Sequence, residues 1–114
     1  MNRRAGLALG WAGVAAVIYL SLTPAPPRVD VEGGDKLGHL LAYGTLTYWF
    51  CQFYIHKARL AYALGFVAMG VALEFAQRAT GYRSFEVADM VANALGVAAG
   101  WGMALLLPLA RPKP

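Results

Sequence analysis

The sequence has a single cysteine and few charged residues, and both shortages narrow what the chain can be. Cys51 has no second cysteine to pair with, so an internal disulfide and a metal site built from several thiolates are excluded. Charged residues make up 14% of the 114 residues, well below the roughly 25% of soluble domains. Apolar residues make up 59%, which favours an integral membrane protein.

The net charge is +4, but the basic residues form no continuous run. They lie at the ends of apolar blocks, where Lys and Arg anchor helices at the lipid headgroups. We therefore expect membrane lipids as partners, and no nucleic acid. The chain has two histidines and no His-Glu-x-x-His spacing, so we predict no metal site and no cofactor.

Four apolar blocks separated by short polar or Pro- and Gly-rich pieces predict four membrane-spanning helices in a single domain, residues 1–114. The helices are expected over about residues 5–22, 35–55, 60–77 and 84–107. The first block exceeds the ~7–15 residues of a signal-peptide core, so we expect it to be retained. Its packing face is expected at Gly6, Gly10 and Gly13. Gly81 is the expected turn residue after the third helix, and Ser84 is a candidate N-cap for the fourth.

Lys and Arg also predict which way the helices face. With four spans, both termini and the loop at Lys57 share one side, which holds no acidic residue and the basic residues Arg3, Arg4, Lys57, Arg59, Arg111 and Lys113. The other side holds all six acids and the basic residues Arg28, Lys36, Arg78 and Arg83. We therefore expect an all-α bundle with its N- and C-termini in the cytoplasm.

A polar stripe marks the start of the second helix. Asp35, His39 and Tyr43 follow at i, i+4 and i+8, so they share one helix face. His39 is either a general base that Asp35 orients or a buried hydrogen-bond partner for Glu74. Asp35 could equally be a helix cap, and Lys36 an anchor that reaches the headgroups. Tyr43 either donates a hydrogen bond into the cluster or packs.

The third helix adds a carboxylate at the same predicted membrane face. Glu74 lies about 21 Å along the helix from Leu60, in the outer third of the bilayer core. A carboxylate there is costly unless it is paired or protonated, so we expect Glu74 to face the bundle interior. Its candidate partners are Arg83 and His39, with Arg78 third.

In the fourth helix, Glu86, Asp89 and Asn93 form one stripe, which Gly96 and Gly100 continue as a pair of small residues. The G-x-x-x-G spacing permits close backbone approach, so we predict that this face packs inward. Asp89 also lies near the start of the helix, where the helix dipole and the free amides stabilise a carboxylate.

Taken in order, these motifs resemble the VanZ-like family. The resemblance rests on Ser21-Leu22-Thr23-Pro24, Asp35-Lys36-x-x-His39-x-x-x-Tyr43, Glu74-x-x-Gln77, Arg83 and Asp89-x-x-x-Asn93-x-x-Gly96. It covers most of the chain and implies a small, multi-pass protein of the bacterial inner membrane. The family is named for a member associated with resistance to the glycopeptide antibiotic teicoplanin, and the resemblance assigns no reaction.

Three functions remain open. The first is a non-catalytic cell-envelope protein that binds or shields a lipid-linked or glycopeptide headgroup at the outer leaflet, through Lys36, Tyr43, Gln77, Arg83 and Asn93. The second is an enzyme acting on a lipid headgroup, with the candidate catalytic residues His39, Asp35, Glu74 and Asp89. The third is a structural cluster that locks the helices together while a partner carries the function.

Overall fold

The computed structural model describes residues 2–23, 34–81 and 86–109, apart from the side chain of Asp35. These residues form four α-helices: α1 (Arg3–Leu22), α2 (Gly34–Cys51), α3 (Lys57–Thr80) and α4 (Val87–Leu106). No strand occurs within the described ranges. The predicted all-α class is therefore confirmed.

Three of the helices, α1, α3 and α4, are long and apolar enough to cross a membrane. The shorter α2, which carries Lys36 in its first turn, is not among them. Large apolar side chains project outward from the other three, and Leu9, Leu64, Phe75 and Leu95 are each more than half exposed. An exposed apolar surface on every side of a bundle suits contact with lipid tails.

The connection between α2 and α3 differs from the predicted one. We expected α2 to reach Ile55 and Arg59 to lie in a basic turn, but α2 ends at Cys51 and α3 begins at Lys57. Arg59 is buried, and its guanidinium donates hydrogen bonds of 2.7 Å to the carbonyl oxygens of Cys51 and Tyr54. The last carbonyls of a helix lack partners within the helix, so Arg59 stabilises the earlier end of α2.

The ends of α3 and α4 follow the local signals only in part. Gly81 ends α3 with a left-handed backbone, φ 79°, as the sequence predicts. α4 begins at Val87, after Glu86 at the N-cap position, and not at residue 84. The candidate cap Ser84 lies outside the described residues.

The closest helix contact joins α2 and α4 through glycines. A Cβ added to Gly96 would collide with the carbonyl oxygen of Leu40, and one on Gly100 would lie 3.0 Å from the backbone nitrogen of Tyr48. From the other side, a Cβ on Gly44 would lie 3.1 Å from the carbonyl oxygen of Gly96. The prediction that this face of α4 packs inward is confirmed.

The glycines of α1 accommodate aromatic rings from the end of α2 and from Phe53, which follows it. The ring of Phe53 lies over Gly6, the ring of Phe50 lies over Gly10, and Trp49 donates a 2.8 Å hydrogen bond to the carbonyl of Gly6. Phe50 is fully buried. These rings join α1 to the bundle at the end opposite the polar stripe.

Candidate functional site

The polar residues of α2 and α4 meet at the start of both helices. Lys36 donates a hydrogen bond to the carboxylate of Glu86, and its Nζ also lies 2.9 Å from Oδ1 of Asp89. The second contact is an ion pair without the alignment of a good hydrogen bond. The imidazole Nε2 of His39 lies 3.6 Å from Oδ2 of Asp89. Asp89 is therefore placed between two side chains of α2.

The site has an accessible rim, formed by Lys36 and Glu86, and a buried floor, formed by Glu74 and Asn93. The side chains of Glu86 and Lys36 are 42% and 33% exposed, whereas that of Asp89 is 10% exposed. Below them, Glu74 is 2% exposed and Asn93 is 4% exposed. A ligand that enters from the rim would meet charge first and then confined polar groups.

Glu74 lies on α3 and faces the other polar groups of the site, as predicted. The carboxylates of Asp89 and Glu86 lie within electrostatic range of it, as does the phenol of Tyr43. Both carboxylate oxygens of Glu74 and Oδ1 of Asn93 are buried, and no described residue makes a well-formed hydrogen bond to them, although the carboxyl of Asp89 and the backbone of Glu86 lie close to Glu74. Buried oxygens without donors are uncommon in folded proteins because each retains its full cost of desolvation.

Gly70 makes room for these side chains, and sequence reasoning missed it. A Cβ at this position would lie 2.8 Å from Nδ2 of Asn93 and 3.3 Å from the ring of Tyr43. Both side chains therefore pack directly on the backbone of α3. A glycine one helical turn before a buried carboxylate was the signal available in the sequence.

The structure brings most of the candidate residues together. Lys36, His39, Tyr43, Glu74, Asp89 and Asn93 converge between α2, α3 and α4. Gln77 instead extends toward α1 and donates a 2.7 Å hydrogen bond to the carbonyl of Ser21. Arg83 and the side chain of Asp35 lie outside the described residues, so their proposed contacts with Glu74 and His39 remain predictions.

The charges at the site suit an organic ligand. The described carboxylates Glu74, Glu86 and Asp89 accompany the cation of Lys36, so groups of both signs are available. Among the described residues, no three side chains of His, Cys, Asp or Glu are grouped so that they could hold a metal ion. The start of α4 also directs its free amides and the positive end of its dipole toward Asp89.

A family model described as VanZ/LLP1 matches residues 8–108, from the second turn of α1 to beyond the end of α4. The chain belongs to the VanZ/LLP1 family. The match confirms the resemblance carried by the polar motifs, and it includes all of the converging residues. Together with the apolar helices, membership in the VanZ/LLP1 family indicates a membrane protein. No curated protein and no solved structure matches the chain.

Proposed function

We propose that this VanZ-like protein is a non-catalytic component of the bacterial cell envelope that binds or shields a headgroup. The headgroup is lipid-linked or belongs to a glycopeptide, and it enters the polar site at the outer leaflet. The single feature that carries the proposal is the set of buried oxygens on Glu74 and Asn93, which have no well-formed hydrogen bond to any described residue. Such oxygens favour a ligand that supplies hydroxyl, amide or ammonium donors.

The proposed placement has four spans, with both termini in the cytoplasm of the inner membrane. Three helices have the length and apolar character for this. The 18 residues of α2 extend about 27 Å, close to the ~30 Å thickness of the hydrocarbon core. Its Lys36 end would lie at the outer surface, where an ammonium can reach the headgroups.

The rim and the floor would recognise different parts of the ligand. Lys36 lies where an anionic group such as a lipid phosphate would first meet the protein. Saccharide hydroxyls or a peptide amine would then donate to Glu74 and Asn93. Lipid-linked saccharides combine a phosphate with many hydroxyl donors, and glycopeptides combine sugars with amines. Either would meet the chemistry of this site.

Occupancy of the site would connect the protein to glycopeptide tolerance, because the antibiotic and its lipid-linked target meet at the outer leaflet. The test measures the minimal inhibitory concentration of teicoplanin in cells that carry Glu74→Ala, His39→Ala or Asp89→Ala. Each variant should lower tolerance while the amount of protein in the membrane stays normal. Leu64→Ala, an exposed apolar position on α3, is the matched control. Normal tolerance in all three variants would contradict the proposal.

The contact between His39 and Asp89 favours a second candidate, an enzyme that modifies a lipid headgroup. The separation of 3.6 Å is longer than a hydrogen bond, but a slight approach of the two side chains would let the carboxylate fix the imidazole tautomer and prepare it to accept a proton. Asp89 lies beside the imidazole in the described structure. The pairing of His39 with Asp35 stays a prediction, because the side chain of Asp35 lies outside the described residues. The test is the lipid profile of cells that carry His39→Gln or lack the protein. Profiles identical to those of wild-type cells would reject catalysis.

A further inference from the structure

A second feature of the surface lies away from the polar site, in an apolar groove between α1 and α3. The groove encloses about 380 Å³. Its lining is almost wholly apolar and includes Trp11, Val14, Tyr62, Gly65, Phe66 and Met69. The volume falls within the ~300–1,000 Å³ range of small-molecule sites. In a membrane protein, an occupant of such a groove has to be an apolar chain.

The groove is open at Gly65, which has no side chain to fill it. A Cβ at this position would meet no atom within 4 Å. Above it, the ring of Tyr62 stacks on Tyr54 with 4.8 Å between the ring centroids, and the two hydroxyl groups lie 3.3 Å apart. The groove therefore has a firm aromatic wall at one end and free space along its floor.

Basic residues lie at the same end of the groove on both α1 and α3. Arg4 precedes Trp11 by seven residues, so it lies on the groove face of α1. Lys57 lies one turn before Ala61, which lines the edge of the groove on α3. Both are exposed. Arg3 is already occupied, since its guanidinium lies 4.9 Å from the centroid of the Tyr54 ring.

Acidic residues are segregated from this end. The described acidic side chains, Glu74, Glu86 and Asp89, all belong to the polar site at the other ends of α3 and α4. The groove therefore leads from an apolar floor to an end where positive charge is not balanced by nearby acids. This combination matches a molecule with one apolar chain and one anionic head.

We propose that the groove between α1 and α3 binds an anionic phospholipid of the membrane. One acyl chain lies along Trp11, Gly65 and Phe66, and the phosphate lies between Arg4 and Lys57. Under the orientation proposed above, this lipid belongs to the cytoplasmic leaflet. The inference uses the membrane placement but not the polar site, so the two proposals succeed or fail independently.

Native mass spectrometry of the full-length protein in detergent tests the site, with phosphatidylglycerol and phosphatidylcholine of identical acyl chains as probes. The wild-type protein should prefer phosphatidylglycerol by about tenfold, because two basic side chains act on its headgroup. Arg4→Gln combined with Lys57→Gln should remove that preference. Gly65→Leu should fill the groove and weaken binding of both lipids. Gly102→Leu is the matched control, since a Cβ there also meets no atom within 4 Å.

Several results would overturn the proposal. Equal binding of the two lipids by the wild-type protein would remove the role of the basic end. Binding that Gly65→Leu leaves intact would place the lipid elsewhere. A wild-type dimer that Gly65→Leu dissociates would show that the groove holds a second copy of the chain. Glu74→Gln should bind both lipids as the wild-type protein does, which separates this site from the polar one.

Discussion

Asp89 and Lys36 face each other across the contact between α2 and α4, with 2.9 Å between Oδ1 and Nζ. The same two helices touch through their backbones at Gly44 and Gly96 farther along. An ion pair at one end and glycine packing in the middle join α2 and α4 into one wall of the polar site. The opposite wall is α3, which presents Glu74.

Reversal of the charges at Asp89 and Lys36 should show whether this pair joins the helices. Lys36→Glu alone should lower the free energy of unfolding by about 1–3 kcal/mol, because it places a third carboxylate beside Asp89 and Glu86. Addition of Asp89→Lys should restore part of that loss, with a coupling energy of about 1 kcal/mol. Thermal unfolding in detergent measures both effects. Strictly additive losses would show that the pair contributes nothing.

The glycine contact predicts a second stability effect. Gly96→Ala should destabilise the protein by about 2 kcal/mol, because the added Cβ meets the rigid carbonyl of Leu40. Gly102→Ala on the same helix is the control, since its Cβ meets no atom within 4 Å and alanine is the better helix former by about 1 kcal/mol. Equal melting temperatures for the two variants would mean that the helices do not approach this closely.

Gly70 should matter more for function than for stability. The Cβ of Gly70→Ala would displace the side-chain amide of Asn93, which can move, whereas Gly96→Ala meets backbone. We therefore expect a loss of about 1 kcal/mol in stability, together with a fall in teicoplanin tolerance. Gly65→Ala, on the same helix with open space around its Cβ, should leave tolerance unchanged and raise stability by up to about 1 kcal/mol. If Gly70→Ala leaves teicoplanin tolerance unchanged, the position of the Asn93 side chain does not matter for the proposed function.

Arg59 should control where α2 ends. Arg59→Gln removes charged hydrogen bonds to the carbonyl oxygens of Cys51 and Tyr54, a loss of about 2 kcal/mol. Hydrogen exchange of the amides in residues 48–55 should then accelerate. Lys57→Gln, an exposed change two residues away, is the control. Slow exchange in the Arg59 variant would show that the cap is dispensable.

The sequence was enough to predict the helices and to select most of the polar residues that converge between them. Long apolar blocks are strong signals, and a carboxylate such as Glu74 within one has to turn inward. The spacing of Asp89, Asn93 and Gly96 also predicted the buried face of α4. These inferences succeed because they rest on periodicity and on the cost of burial, both of which are local properties.

The features that the sequence did not predict depend on contacts between residues that are separated along the chain. The cap that Arg59 places on α2 requires the fold to bring its guanidinium back to Cys51. The packing of Phe50 on Gly10 and of Asn93 on Gly70 likewise joins separate helices. Local signals predicted a longer α2, which ends earlier because tertiary contacts stabilise its end at Cys51. The sequence did not suggest Asp89 as a neighbour of His39, which the described structure shows. The predicted contact of His39 with Asp35 lies outside the described residues.

The most direct test of the headgroup site is binding to Glu74→Gln in lipid nanodiscs, with teicoplanin and a polyprenyl-diphosphate saccharide as separate probes. Gln preserves the shape of Glu74 but replaces one of its two carboxyl oxygens with an NH2 group, which can only donate. If the buried carboxylate accepts donors from the ligand, affinity should fall about tenfold or more for at least one probe, while the melting temperature stays within a few degrees of wild type. Unchanged affinity for both probes, or a lower melting temperature with unchanged affinity, would contradict the headgroup site.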